Sequence, residues 1–285
     1  MYTTLISVSQ LQAFMTSDQP LMVFDCSFEL MQATAGDAQY QESHVAGAVR
    51  ADLDHNLSAQ EAPDAASGGR HPLPSRETFA AWLGSVGLRP DMQAVVYDRQ
   101  GVNYCGRLWW LLKWAGHEAV AVLDGGLPAW LAAGGAVASG DGPTTQASNY
   151  PLTTPRTELV DTDTVAGKLA RPGQTIVDAR GAPRFRGEVE PLDPVAGHIP
   201  GALNRPFTDN LGPDGLFKHA AQLRTEFETL LAGRDPATVV HHCGSGVSAV
   251  PNLIAMEVAG LGRTALYAGS WSEWCSDPSR PVAQS

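Results

Sequence analysis

The chain has 285 residues, of which 44% are hydrophobic, and this length predicts two domains of about 140 residues each. Its formal net charge is −11, from 19 basic and 30 acidic residues, and Lys and Arg form no cluster. Nucleic acids and anionic membrane surfaces are therefore poor partners. The N-terminus has no signal-peptide pattern and no apolar run reaches membrane-spanning length, which together predict a cytoplasmic protein.

The four cysteines lie far apart, with no Cys-x-x-Cys pair and no spacing typical of a zinc site: Cys26, Cys105, Cys243 and Cys275. This pattern predicts free thiols in a reducing compartment and no metal site.

The first half of the chain alternates short helices with buried strands. The hydrophobic pattern predicts, in chain order, a helix over 9–16, a strand over 21–25, a helix over 78–86, a strand over 94–98, a helix over 106–115 and a strand over 119–123. From Gly134 onward the composition changes to Gly, Ser, Thr and Pro, which indicates a linker. We therefore expect a first domain over 1–137, a linker over 138–155 and a second domain over 156–285.

The second half repeats the first. Ile176-Val177-Asp178 corresponds to Val23-Phe24-Asp25, and His198-Ile199-Pro200-Gly201-Ala202 corresponds to His44-Val45-Ala46-Gly47-Ala48. Further along, Val239-Val240, Gly269 and Trp274 match Val95-Val96, Gly125 and Trp130 at a constant offset of 144 residues (239 − 95). Alternating strands and helices in both halves predict an α/β fold of two tandem domains, each a parallel sheet with helices on both faces.

The segment Cys243-Gly244-Ser245-Gly246-Val247-Ser248 follows a predicted strand over 237–240 and precedes a helix with Pro251 in its first turn. A thiol at this strand end meets backbone N–H groups and the positive end of a helix dipole, which favour an anion. Cys243 is therefore a candidate nucleophile, and an inert buried cysteine is the alternative. The repeat offset places Arg99 at the corresponding position of the first half. That half is expected to lack a nucleophile and to form one wall of a cleft between the domains.

These motifs resemble the tandem-domain sulfurtransferases of the rhodanese family over nearly the whole chain. The loop that begins at Cys243 is similar to the Cys-Gly-Ser-Gly-Val-Thr loop of the branch that uses 3-mercaptopyruvate. The segments 267–274 and 198–202 resemble the two other signatures of the family. The branch that prefers thiosulfate carries Arg-Lys where this chain has Gly244-Ser245, so the resemblance favours 3-mercaptopyruvate.

The resemblance implies that Cys243 takes sulfur from a small donor, becomes a persulfide, and passes the sulfur to an acceptor thiol, such as that of a dithiol protein, or to cyanide. No metal or organic cofactor is required for this chemistry. The substrate and the persulfide would be held by the loop residues and by one arginine: Gly244, Gly246, Val247, Ser248 and Arg184.

The resemblance also implies a proton relay of Ser245, His71 and Asp54, which would act while pyruvate leaves as an enol. From the residues alone, His71 lies between Gly-rich and Pro-rich stretches and is typical of a surface loop. Asp52 and Asp54 are both candidates for the acid of the relay, and the other of the two would then brace a turn without a catalytic role. An alternative explanation for Ser245 is that the loop simply needs a small side chain at this position.

Arg184 matches the first carboxylate-binding arginine of the family, and a guanidinium suits a carboxylate. Leu192 stands where the family has its second such arginine. Arg186 and Arg99 are the candidates to compensate, and a different donor is the other explanation.

Three other functions are considered. Thiosulfate is the second candidate donor. A cysteine-dependent phosphatase uses a similar loop but needs an arginine six positions after the nucleophile; this chain has Ala249 there, so phosphatase activity is not expected. Both domains can also be binding modules, with the thiol acting as a sulfur carrier or redox sensor.

Overall fold

The computed structural model describes residues 1–32, 34–60 and 63–285, which form two compact units. Unit 1 comprises Met1–Asp64, Pro74–Arg156 and Asp214–Leu216. Unit 2 comprises Ala65–Leu73, Thr157–Pro213 and Phe217–Ser285. The segment 65–73 therefore lies early in the chain but belongs to the unit that contains Cys243.

Unit 1 contains a five-stranded parallel sheet in the order β1-β6-β5-β2-β4 and a two-stranded antiparallel pair, β3 and β7. Its strands are β1 (Leu5–Ile6), β2 (Leu21–Asp25), β3 (His44–Val45), β4 (Val49–Arg50), β5 (Gln93–Tyr97), β6 (Val120–Leu123) and β7 (Val137–Ala138). Its helices are α1 (Val8–Met15), α2 (Ala35–Glu42), α3 (Arg76–Ser85), α4 (Cys105–Ala115) and α5 (Gly126–Ala132). Every residue of β5 is buried, so both faces of the sheet are covered.

Unit 2 contains a five-stranded parallel sheet in the order β8-β12-β11-β9-β10. Its strands are β8 (Glu158–Leu159), β9 (Thr175–Asp178), β10 (Leu203–Asn204), β11 (Val239–His242) and β12 (Ala265–Leu266). Its helices are α6 (Thr162–Gly167), α7 (Ala182–Arg186), α8 (Ala220–Leu231), α9 (Val250–Val258) and α10 (Ser270–Trp274), with 3₁₀ turns at Phe207–Asn210 and Pro236–Thr238. Strand for strand, this order matches that of unit 1, so the predicted duplication and parallel α/β fold are confirmed.

The six elements predicted for the first half lie within two residues of observed helices or strands. The strand predicted over 237–240 is misplaced, because Pro236 begins a 3₁₀ turn and the extended backbone starts only at Val239. Residues 139–157 contain no helix or strand.

The repeated residues occupy equivalent places in the two cores. Trp130 packs with the core of unit 1 and Trp274 with that of unit 2, each 2% exposed or less. His44 stacks on Tyr40 at a ring distance of 3.9 Å, and His198 stacks on Phe185 at 3.8 Å. Each of these imidazoles also bonds the backbone carbonyl of the residue on which it stacks. The repeated histidines are therefore structural.

The strand order of unit 2 determines where Cys243 lies. Strands β9 and β11 are hydrogen-bonded neighbours, with Asp178 opposite His242, and the chain leaves them toward opposite edges of the sheet. The crevice at the carboxyl ends of such a pair is the usual ligand site of an open parallel sheet. Cys243 follows β11 directly, so the sheet places it at this crevice. Within the described ranges, no helix is long and apolar enough to cross a bilayer.

Candidate active site

Cys243 is 2% exposed and is fixed by its backbone. Its N–H donates to Ser270 Oγ over 3.1 Å, and its carbonyl accepts from the N–H of Trp271 over 3.0 Å. The carbonyl of Gly244 accepts from the N–H of Ser272 over 2.9 Å. These three bonds tie the loop to the start of α10. Ser270 has a φ of +57°, which is unusual for a residue other than glycine and points to a position fixed by its surroundings.

The loop after Cys243 curls back on itself at Gly246, which has a φ of +74°. A Cβ on this residue would lie 2.2 Å from the carbonyl oxygen of Ala268, so a side chain does not fit. In the described part of the chain, the N–H groups of Gly244, Ser245 and Val247 donate to no protein acceptor. The helix α9 begins at Val250, with Pro251 in its first turn, and adds its positive dipole end. The loop can therefore hold an anion on the sulfur.

The structure brings Ser245 and His71 together. A hydrogen bond of 2.7 Å joins Ser245 Oγ and His71 Nδ1 within unit 2. The two residues are 7% and 5% exposed, so the interpretation of His71 as a surface histidine is wrong. A buried imidazole bonded to a hydroxyl beside a nucleophile can move a proton.

Asp52 and Asp54 lie in unit 1 and have different surroundings. Asp52 Oδ1 accepts the backbone N–H groups of Asp54 and His55, each over 2.9 Å, and its Oδ2 pairs with Arg50 over 2.9 Å. Asp52 therefore braces the turn. Burial, together with the negative charge of Asp52, raises the pKa of the Asp54 carboxyl.

A buried ion-pair group beside Cys243 was not predicted from the sequence. Arg180 pairs with Asp178 over 2.7 Å and with Glu190 over 3.2 Å, and its guanidinium lies 4.7 Å from the ring of Trp271. Burial lowers the pKa of Arg180, but Asp178, Glu190 and Cys243 outweigh this effect and raise it. A cation is thus held permanently near the sulfur. The one sequence signal for it was an acid that ends the strand β9, followed two residues later by an arginine.

The three candidate arginines have different partners and locations. Arg184 pairs with Glu190 over 2.6 Å and with Asp193 over 3.1 Å, and a Cβ on Gly244 would lie 3.6 Å from its Nη1. Arg186 is on the surface and pairs with Glu188 over 2.8 Å. Arg99 lies in unit 1, where its guanidinium donates to Ser27 Oγ and to backbone carbonyls. Within unit 2, Arg184 therefore lies beside the cysteine loop, whereas Arg186 is paired on the surface.

The corresponding loop of unit 1 is filled by its own carboxylate. Asp98 Oδ1 accepts the N–H groups of Gln100 and Val102, and Oδ2 accepts those of Tyr104 and Cys105, at 2.8–3.0 Å. No set of three His, Cys, Asp or Glu side chains suited to a metal ion is found among the residues that the structure describes. All four cysteines are free and buried.

The rhodanese-like domain family matches residues 7–133 and 161–277. The chain is 47% identical over 280 residues to a probable 3-mercaptopyruvate sulfurtransferase of Pseudomonas aeruginosa, covering 98% of this chain and 97% of that protein. It is 39% identical over 288 residues to a putative thiosulfate sulfurtransferase of Mycobacterium tuberculosis, covering 98% and 96%. A solved structure of a 3-mercaptopyruvate sulfurtransferase from Leishmania major superposes with a TM-score of 0.83 at 32% identity, covering 96% and 74%. With a match in each half and full-length relatives, this chain belongs to the rhodanese family and is a sulfurtransferase built from two tandem rhodanese domains.

Proposed function

We propose that this sulfurtransferase takes sulfur from 3-mercaptopyruvate through a persulfide on Cys243. The Cys243 thiolate attacks the sulfur of the donor, the S–S bond forms, and the bond between that sulfur and C3 breaks. The carbon leaves with the bonding electrons as the enolate of pyruvate and takes up a proton. An acceptor thiolate then attacks the outer sulfur, which moves to the acceptor and regenerates the Cys243 thiolate.

The hydrogen bond between Ser245 and His71 carries this proposal. An enolate needs a proton as it forms, and a hydroxyl that belongs to the loop of the nucleophile and is bonded to an imidazole can deliver one. Thiosulfate makes no such demand, since its leaving group is sulfite. For Asp54, the place in the relay rests on the family resemblance, and the involvement of Asp52 in the turn favours Asp54 over it.

The remaining candidate residues are proposed to bind the persulfide or the sulfur donor. The N–H groups of Gly244, Gly246, Val247 and Ser248 are proposed to hold the negative charge of the persulfide. Arg184 is proposed to hold the carboxylate of the donor, because its guanidinium lies beside Gly244.

Thiosulfate is the second candidate donor, because a full-length relative carries that activity in its name. A small thiol, a dithiol protein or cyanide is proposed as acceptor, and the cytoplasm as the compartment, since the thiolate must stay reduced.

The test is kcat/KM for 3-mercaptopyruvate and for thiosulfate with a common acceptor, in the wild type and in variants. Cys243→Ser abolishes transfer from both donors. Ser245→Ala and His71→Ala lower kcat/KM for 3-mercaptopyruvate by about 100-fold, the low end of general acid–base effects, and change thiosulfate transfer much less. Asp54→Asn follows the same pattern with a smaller loss.

His219→Ala is the matched control, because His219 is exposed and its side chain makes no capping hydrogen bond. It leaves both activities unchanged. Equal losses with both donors in Ser245→Ala and His71→Ala would remove the relay from the mechanism. A wild-type preference for thiosulfate would refute 3-mercaptopyruvate as the main donor.

A further inference from the structure

The segment 65–73, here called the histidine loop because it carries His71, belongs to unit 2, although the chain on either side of it belongs to unit 1. The loop closes on itself, since the N–H of Ala66 donates to the carbonyl of Leu73 over 2.8 Å. This internal bond fixes the shape of the loop but not its place against the cysteine loop. Contacts with the rest of unit 2 therefore set the distance between His71 and Ser245.

The start of α10 supplies such contacts. Gly69 has a φ of +88°, and a Cβ on this residue would lie 2.5 Å from the Gly269 oxygen and 2.8 Å from Ser272 Oγ. A Cβ on Gly68 would lie 2.6 Å from Glu273 Oε1. The two glycines leave room for this close approach because they have no side chain. The backbone of the histidine loop therefore lies directly against α10.

Ser272 bonds both loops at once. Its backbone N–H donates over 2.9 Å to the carbonyl of Gly244, the residue that follows the nucleophile. Its Oγ accepts the backbone N–H of Arg70 over 3.0 Å, one residue before His71. The same hydroxyl donates its proton to the carbonyl of Gly269 over 3.3 Å, which leaves an oxygen lone pair for the N–H of Arg70. The backbone of Ser272 thus holds the cysteine loop, while its side chain holds the histidine loop.

The two residues that Ser272 holds, Gly244 and Arg70, are the immediate neighbours of the relay pair. Ser245 follows Gly244 and His71 follows Arg70, and the 2.7 Å hydrogen bond joins Ser245 Oγ to His71 Nδ1. The partners of that bond lie 174 residues apart in the chain. An anchor shared by the residue before each of them therefore fixes their separation.

We propose that Ser272 is a positioning residue for sulfur transfer from 3-mercaptopyruvate, because its hydroxyl keeps His71 within hydrogen-bonding distance of Ser245. Ser272 acts through His71 and not on the reacting sulfur. Its contribution is geometric, since a proton moves efficiently only between groups that are already aligned. The inference rests on the proposed function, in which this pair gives a proton to the leaving enolate.

Ser272→Ala tests the proposal, because it removes the hydroxyl but keeps the N–H that bonds Gly244. We expect kcat/KM for 3-mercaptopyruvate to fall about fivefold, as for the loss of one neutral hydrogen bond, while transfer from thiosulfate changes little. Hydrogen exchange, measured by mass spectrometry, becomes faster in the histidine loop and stays unchanged in β11, which reports that unit 2 is folded. Ser276→Ala is the matched control, since its hydroxyl bonds a backbone carbonyl outside both loops, and it changes none of these values.

A double-mutant cycle separates positioning from a general effect on the fold. In the His71→Ala background, Ser272→Ala lowers kcat/KM for 3-mercaptopyruvate no further, because the residue through which it acts is gone. A further loss of about fivefold in that background, or equal losses with both donors in the single variant, would overturn the inference. Unchanged hydrogen exchange in the histidine loop would also overturn it. Failure of the proposed function gives a different result, because the wild type would then not use 3-mercaptopyruvate, while exchange in the histidine loop would still become faster in Ser272→Ala.

Discussion

The cysteine loop depends on the backbone of Gly246, and replacing this glycine by alanine tests that dependence. A φ of +74° costs an alanine about 1–2 kcal/mol. The new Cβ would also lie 2.2 Å from the carbonyl oxygen and 2.8 Å from the Cα of Ala268. Because the obstacle is backbone, relieving the overlap requires a main-chain shift, for which overpacking costs of about 1–3 kcal/mol are typical. We expect Gly246→Ala to destabilise unit 2 by about 2–5 kcal/mol.

Two matched variants separate the contributions. Gly201 has a φ of +79°, but a Cβ on this residue would meet no atom within 4 Å, so Gly201→Ala incurs the dihedral cost alone, about 1–2 kcal/mol. Gly244 has no positive φ, and its Cβ would approach only the ends of two flexible arginines. Gly244→Ala therefore changes stability little, and its effect falls on the KM for a carboxylate donor.

The assay is urea unfolding of the three variants, combined with detection by mass spectrometry of one added sulfur atom on Cys243. All three glycines belong to unit 2, so differences between the variants do not depend on how unit 1 unfolds. Gly246→Ala loses persulfide formation even where it is folded, because the displaced loop no longer surrounds the sulfur. Equal destabilisation by Gly246→Ala and Gly201→Ala would refute the argument, since the contact with Ala268 would then carry no cost.

Two further predictions concern hydrogen-bonded side chains within unit 2. Burial raises the pKa of Glu226, but hydrogen bonds from three neighbouring side chains outweigh it and lower the pKa to about 2. The ionised form is therefore favoured by folding, so Glu226→Gln lowers Tm at pH 7. The difference from wild type disappears as the pH falls from about 4.5 toward 2, whereas Glu228→Gln, on the exposed side of the same helix, changes Tm little at any pH. Ser270→Ala removes the hydrogen bond to the N–H of Cys243 and lowers kcat by the same factor, about 5-fold, with both donors, as expected for a net loss near 1 kcal/mol. Ser276→Ala is its control, because it removes an exposed hydrogen bond to the carbonyl of Glu273. A loss of activity with only one donor in Ser270→Ala would contradict a role in positioning the nucleophile.

The sequence was sufficient for the fold because the same pattern occurs twice. A constant offset linked Val95 to Val239 and Trp130 to Trp274, and the two sheets have the same strand order. The cysteine loop was also predicted from a pattern visible in the sequence. Glycines close to a cysteine at the end of a strand are seldom needed for the fold alone, so they indicate a reactive thiol. Both patterns involve residues that are close together in the chain, within each repeat or within the loop, so a single sequence is enough to recognise them.

What could not be predicted depends on contacts between distant segments. His71 lies 174 residues before Ser245, and nothing in its own loop, apart from the resemblance, indicated that the loop would be buried in unit 2. Arg186 and Arg99 were named as candidates to replace the missing arginine, but Arg186 pairs with Glu188 on the surface and Arg99 lies in unit 1. The positive φ of Ser270 was equally hidden, because only the packing around α10 imposes it.

The first half has the same strand order as the second but no cysteine at the position that corresponds to Cys243. The repeat offset predicted the absence of a nucleophile from Arg99, but the physical reason lies one residue earlier, at Asp98. Its carboxylate accepts four backbone N–H groups of its own loop and start of α4 and is 1% exposed. In unit 2 the equivalent position is His242, whose pKa is lowered by burial. Beyond it, the N–H groups of Gly244, Ser245 and Val247 have no protein acceptor in the described part of the chain. The same loop backbone therefore bonds the side-chain carboxyl group of its own loop in one unit, which stabilises the turn, and remains available in the other for the anion that catalysis creates.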